Sequence, residues 1–141
     1  MTIARIIADW MDARIQDAGT PAAIRAIAKS VATGDTKDPE KVSVSWEEVD
    51  VDPVAPPLHI YDLEYTIKTP TNSDIPMSSH REVKEWLEDQ FDVAAFTVLK
   101  ANVLADTGDD LQSWFFGKTE TDNEKEDHQT VQAVRLAIVR A

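Results

Sequence analysis

The 141-residue sequence contains no cysteine, which removes disulfides and thiolate metal sites from the possible chemistry. That absence fits a reducing compartment. Only four glycines occur, too few for a phosphate-cradling loop or dinucleotide fingerprint alongside the turns that also need them. The three histidines, His59, His80 and His128, have no ligand partner at metal-binding spacing. No apolar run approaches the ~20 residues of a membrane-spanning helix. Asp9 and Asp12 interrupt the N-terminal apolar pattern, so a signal peptide is not expected either. A soluble chain with no membrane partner is predicted. Positive charge is also scarce. With 14 Lys and Arg against 26 Asp and Glu, the net charge of −12 disfavours sequence-independent binding to nucleic acid.

The apolar fraction is 43%, enough for one domain over residues 1–141 with a core of its own. Residues 1–34 read as a helical N-terminal segment. Thr2 caps a helix carrying Ile3, Ile6, Ile7, Trp10, Met11 and Ile15, and Gly19 is expected to end it as a left-handed cap. Thr20-Pro21 restarts a second helix through Ile24, Ile27, Ala28 and Val31 to Gly34. Residues 42–141 read as a sheet with a central helix. Val42, Val44 and Trp46 form a strand whose phase shifts near Glu48, and the prolines between Asp52 and Pro57 are expected to break pairing. His59 to Thr69 alternates cleanly, with Tyr61, Leu63, Tyr65 and Ile67 on one side. A capping box at Ser79 to Glu82 opens a helix over residues 79–91, and His80 is explained by that cap. Phe96 to Ala105, Leu111 to Phe116 and Gln129 to Val139 are expected strands. An acidic loop over residues 119–128 precedes the last of them. The fold class is therefore α+β: a mainly antiparallel β-sheet covered on one face by the N-terminal helices and one amphipathic helix.

Chemistry is hard to find in this pattern. Asp106 to Asp110 surrounds a glycine turn with carboxylates but lacks the alternate-position ligands and closing Glu of a calcium loop. The acidic pairs Glu47/Glu48 and Glu88/Asp89 fall on wet faces, where acid–base catalysis has no cleft to work in. No enzyme, cofactor or metal is expected. Trp114, Phe115 and Phe116 are adjacent, so at least one ring projects away from its neighbours. Together with Trp10 they are candidate subunit-interface residues. Glu120, Asp122, Glu124, Glu126 and Asp127 are the densest charge in the chain, as a flexible loop or the lining of a lumen.

Four stretches, "HIYDLEYTIKTP", "SSHREVKEWLEDQF", "FTVLKANVLAD" and the acidic segment feeding "TVQAVRLAIVRA", together resemble the tail-terminator and tail-completion proteins of long-tailed bacteriophages. The N-terminal "TIARIIADWMDARI" suits that family as well. The second N-terminal helix and the "DPVAPP" turn depart from it. The resemblance implies a virion protein, assembled in the host cytoplasm, that forms a ring, usually of six subunits, at the end of the tail tube. It would stop tube polymerisation and join tail to head, with the tail-tube protein and a head-completion or connector protein as partners. DNA would pass through the lumen without specific binding, repelled by the acids. The alternative is a small acidic binding module, either an adaptor or a DNA-mimicking inhibitor.

Overall fold

The structure is a computed structural model that describes residues 2–17, 19–20, 31–33, 43–70, 77–123 and 127–141. Helix α1 (Ile3–Ile15) starts where expected. The Thr2 hydroxyl accepts a hydrogen bond from the Arg5 amide at 3.2 Å, satisfying one free donor of the first turn. Ile3, Ile6, Ile7, Trp10, Met11 and Ile15 are buried at helical spacing, while Arg5 and Asp9 form an ion pair on the wet side at 3.0 Å. The helix does not run to Gly19. It stops at Gln16, and the Thr20 hydroxyl donates to the Arg14 carbonyl at 2.6 Å. Asp17 builds the turn by accepting from the Gly19 amide at 2.8 Å, and Gly19 itself is not left-handed.

The second N-terminal helix is corrected at its end. Val31–Thr33 is a strand, β1, paired in parallel with β2 (Ser43–Ala55) through Val31↔Val44 and Thr33↔Trp46. Two β-branched residues beside an open strand find ladder hydrogen bonds there, which outrank a modest helix propensity. The expected helical residues Pro21 to Ser30, and the connector over residues 35–41, lie outside the described residues.

Strand β2 carries the expected irregularity between Glu48 and Asp50, but its prolines do not end pairing. Asp52↔Ile60, Pro53↔His59 and Ala55↔Leu58 continue the ladder to β3 (Leu58–Pro70), leaving cis Pro56-Pro57 as the turn. Pro53 sits at a second bulge. Among the described residues no strand flanks β2 there, so its missing N–H costs no ladder bond.

Two helices follow β3. Helix α2 (Met77–Gln90) begins two residues before the expected box, so Ser79 is inside its first turn rather than at its cap. Val83 and Leu87 are buried on its inner stripe. Helix α3 (Val93–Thr107) occupies the segment expected to be a strand. Its ends explain why. The Asp92 carboxylate accepts from the Ala95 amide at 2.8 Å, and Gly108, at φ 78°, is a left-handed C-terminal cap donating to the Leu104 carbonyl at 2.9 Å.

The chain closes with β4 (Asp110–Asn123) and β5 (Asp127–Val139). The five-stranded sheet has the order β1-β2-β3-β5-β4, antiparallel except for β1. The fold is α+β, and among the described residues the elements run α-β-β-β-α-α-β-β. The expected acidic loop is mostly ladder: Glu120 pairs with Val131, Asp122 with Gln129, and Asp127 with Pro70. Buried Gln132 anchors this extension, donating to the Gly117 carbonyl at 2.8 Å and accepting from the Thr119 hydroxyl at 2.6 Å. Gly117 suits that bulge, because a Cβ there would crowd the Ala133 methyl at 3.3 Å.

The core lies against the sheet face that carries Tyr61, Leu63, Tyr65 and Ile67 from β3 and Val134, Leu136 and Ile138 from β5. Phe91, between α2 and α3, is its aromatic hub. Its ring centroid lies 5.0 Å from Phe116, 5.6 Å from Trp10, 5.7 Å from Trp114 and 6.0 Å from both Trp46 and Tyr65. Burial pushes the Tyr65 phenol well above its ordinary range, and Glu88 adds to the shift.

Candidate functional site

The aromatic candidates separate by accessibility. Trp10 is only 8% exposed, packed on Phe91 and under the Arg14 guanidinium at 5.2 Å, so its ring is committed to the chain's own core. Trp114 and Phe116 pack against the same hub from β4. Phe115 points the other way and is 66% exposed, opposite Arg135 on β5. Of the acidic candidates, Glu120 is exposed on β4, Asp122 is in the β4–β5 ladder, Asp127 is paired with Pro70 in the β3–β5 ladder, and Glu124 and Glu126 lie outside the described residues.

The sheet face away from the core has two unlike halves. On β2–β3, Glu47 stands directly opposite Glu64, and Asp50 directly opposite Asp62. Like charges in register weaken a sheet. Arg135 relieves one of the four, donating from Nε to Asp62 at 2.8 Å, and that hydrogen bond raises its own pKa further. On β5–β4 the same face carries Phe115, Ala133 and Ala137, with Glu120 further along the hairpin, opposite Val131.

Helix α3 supplies a feature that sequence reading missed. Ala95, Leu99 and Val103 face the core, yet the outward side is apolar too. Val93 is 84% exposed, Val98 47% and Leu104 54%, interleaved with exposed Ala94, Thr97, Ala101 and Ala105. Of the helix's two charged side chains, Lys100 turns to the Asp110 carboxylate at 2.6 Å and the Leu111 carbonyl at 3.0 Å, and Asp106 is exposed near the C-terminal end. Where α3 begins, an open groove of about 540 Å³ is lined by Phe91, Val93, Phe96 and Trp114, with Asp92, Gln112 and Ser113 as its polar residues. The signal for this surface was the lack of a charged face between Val93 and Ala105.

A second concavity, of about 320 Å³, lies between the end of α1 and α2. Arg14 and Gln90 meet there at 2.9 Å beside Asp17, Thr20 and Trp86. His80 is not a cap residue: it is buried in the first turn of α2. Nδ1 is 2.7 Å from the Thr69 hydroxyl and Nε2 is 2.7 Å from the Thr130 hydroxyl, which ties α2 to β3 and β5. The Asp106 to Asp110 segment serves the helix end, where Asp109 accepts from the Ala141 amide at 3.0 Å and Asp110 holds Lys100. Among the described residues no group of three or more His, Asp or Glu is placed to hold a metal ion. No helix among them is long and apolar enough to cross a membrane. The chain matches no protein-family model and no curated protein.

Proposed function

We propose that this chain is a structural subunit that forms a ring at the end of a phage tail tube, ending tube growth and joining tail to head. One observation carries the reading. Unlike apolar patches flank the same sheet edge: the α3 surface on the helix side of β4, and Phe115 on the opposite side. A contact between two different patches on identical chains repeats from chain to chain until it closes, which is the geometry of a ring. With the β4 side committed to neighbours, the acidic β2–β3 half is left for the lumen. There the opposed pairs Glu47/Glu64 and Asp50/Asp62 repel the phosphates of passing DNA, which slides without sticking. A lumen role gives a reason to keep like charges in register despite their cost to the sheet. Of the stretches that carry the resemblance, β3, α2 and β5 are elements of the expected type, whereas "FTVLKANVLAD" is helical.

The test is tube assembly. Adding this chain to polymerising tail-tube protein is expected to shorten the tubes and to leave a ring on one end in electron micrographs. Tubes of unchanged length with bare ends would remove the reading.

A second reading, an acidic adaptor or DNA mimic, is favoured by those same opposed pairs, which present carboxylates in rows on one surface. Competition separates the two. A mimic displaces DNA from a basic DNA-binding protein and loses that ability when Glu47 and Glu64 become glutamine, whereas a ring subunit does neither.

A further inference from the structure

We propose that the groove at the start of α3 is a socket for Phe115 of a second copy of this chain, with the outward face of α3 covering the β4–β5 half of that copy's open sheet face. The inference deepens the ring reading by naming the contact, and it rests on observations of the fold alone.

The first observation is shape and chemistry. An exposed aromatic ring on one side of β4 and an aromatic-lined groove on the other are complementary to each other, and neither is complementary to itself. Aromatic anchors seated in apolar pockets supply much of the energy of protein contacts. The second is charge. Two chains of net charge −12 repel, so they meet most readily where unpaired carboxylates are fewest. The outward face of α3 is mostly apolar, with Asp92 in the groove and Asp106 near the far end. The Phe115 half of the open face carries Glu120, opposite Val131, and Arg135, already engaged by Asp62. Docking on the β2–β3 half would instead bury Glu47, Asp50 and Glu64.

The third is area. A 15-residue helix is about 22 Å long, and one face of it covers only a few hundred Å², less than the roughly 800 Å² per partner of a stable pair. A single contact is therefore weak, and a chain that uses both its socket and its Phe115 is held at two places. The edge of β4 does not compete by strand pairing. Irregularities between Leu111 and Ser113 and between Phe116 and Thr119 break its ladder, a device that discourages edge-to-edge addition.

Mixing two defective chains tests the contact. Phe115→Ala lacks the anchor but keeps the socket, and Val93→Glu blocks the socket but keeps the anchor. By sedimentation velocity the native chain is expected to form species beyond the dimer as concentration rises. Each variant alone should associate at least about tenfold more weakly. Their mixture should form a species of two chains and stop there, since only one intact contact can be made. Unchanged melting temperatures show that both variants fold; should Val93→Glu not fold, Ser113→Lys blocks the groove from β4. A native chain that is monomeric at every concentration, variants that associate like the native chain, or a mixture that forms no pair would each overturn the proposal. Association through these residues without any effect on tail tubes would leave this contact standing and remove the tail reading.

Discussion

Helices α2 and α3 are neighbours joined at Phe91 and are about equally long, yet they are finished differently. Helix α2 has one buried stripe, at His80, Val83 and Leu87, and its other positions carry Arg81, Glu82, Lys84, Glu85, Glu88 and Asp89. These charged side chains give the helix a wet outer side. Helix α3 buries Ala95, Leu99 and Val103 but turns valines, alanines and a leucine outward. A helix that is apolar all round belongs inside something. Within one chain α3 is half inside, so the difference between the two helices marks where this molecule ends and where an assembly would begin.

The largest expected effect contrasts the inner faces with the outer one. Leu87→Ala and Leu99→Ala remove fully buried side chains and should each cost about 2–5 kcal/mol in chemical denaturation. Leu104→Ala should cost less than about 0.5 kcal/mol in the monomer, because its side chain is already in water. Similar losses at positions 99 and 104 would mean that the outward face of α3 is not free.

Next in size is His80→Ala, which takes a partner from two buried threonine hydroxyls. It should destabilise by about 1–3 kcal/mol, although α2 keeps its apolar stripe. A change near zero would show that His80 does not fasten α2 to the sheet.

The same contrast separates what the sequence discloses from what it hides. The β3 strand was legible because Tyr61, Leu63, Tyr65 and Ile67 alternate with Asp62, Glu64, Thr66 and Lys68, a pattern no helix shares. In α3, Leu99 and Val103 are four apart, so they share a face in a strand and in a helix alike. Periodicity could not decide, and only the caps Asp92 and Gly108 did. Thr119 to Asn123 offers no apolar face at all. Its strand character comes from pairing with β5 across the hairpin, which local pattern does not contain. The socket was hidden for a related reason: it joins Phe91, Phe96 and Trp114 from separate elements, one of them misassigned.

A smaller effect distinguishes Gly108, the observed cap, from Gly19, the expected one. Gly108→Ala forces a side chain into a left-handed backbone at φ 78° and should cost about 1 kcal/mol. Gly19→Ala, where the backbone is not left-handed and an added Cβ makes ordinary contact at 3.4 Å with Asp17, should be near neutral.

The smallest effect appears only in alkali. The Tyr65 phenol keeps its proton in the fold to a higher pH than in the unfolded chain, where its value is about 10. The unfolded state therefore binds fewer protons above that pH, and stability falls as pH rises further. In Tyr65→Phe this part of the alkaline loss should vanish in melts taken at pH 9 and 11.

Molar mass by light scattering, across protein concentration and at low and high salt, tests most directly whether the outward side of α3 is an unfinished interface. The account predicts a mass that climbs above the 15.7 kDa of one chain, and climbs sooner at high salt, where repulsion between acidic copies is screened. A constant 15.7 kDa under all conditions would contradict it.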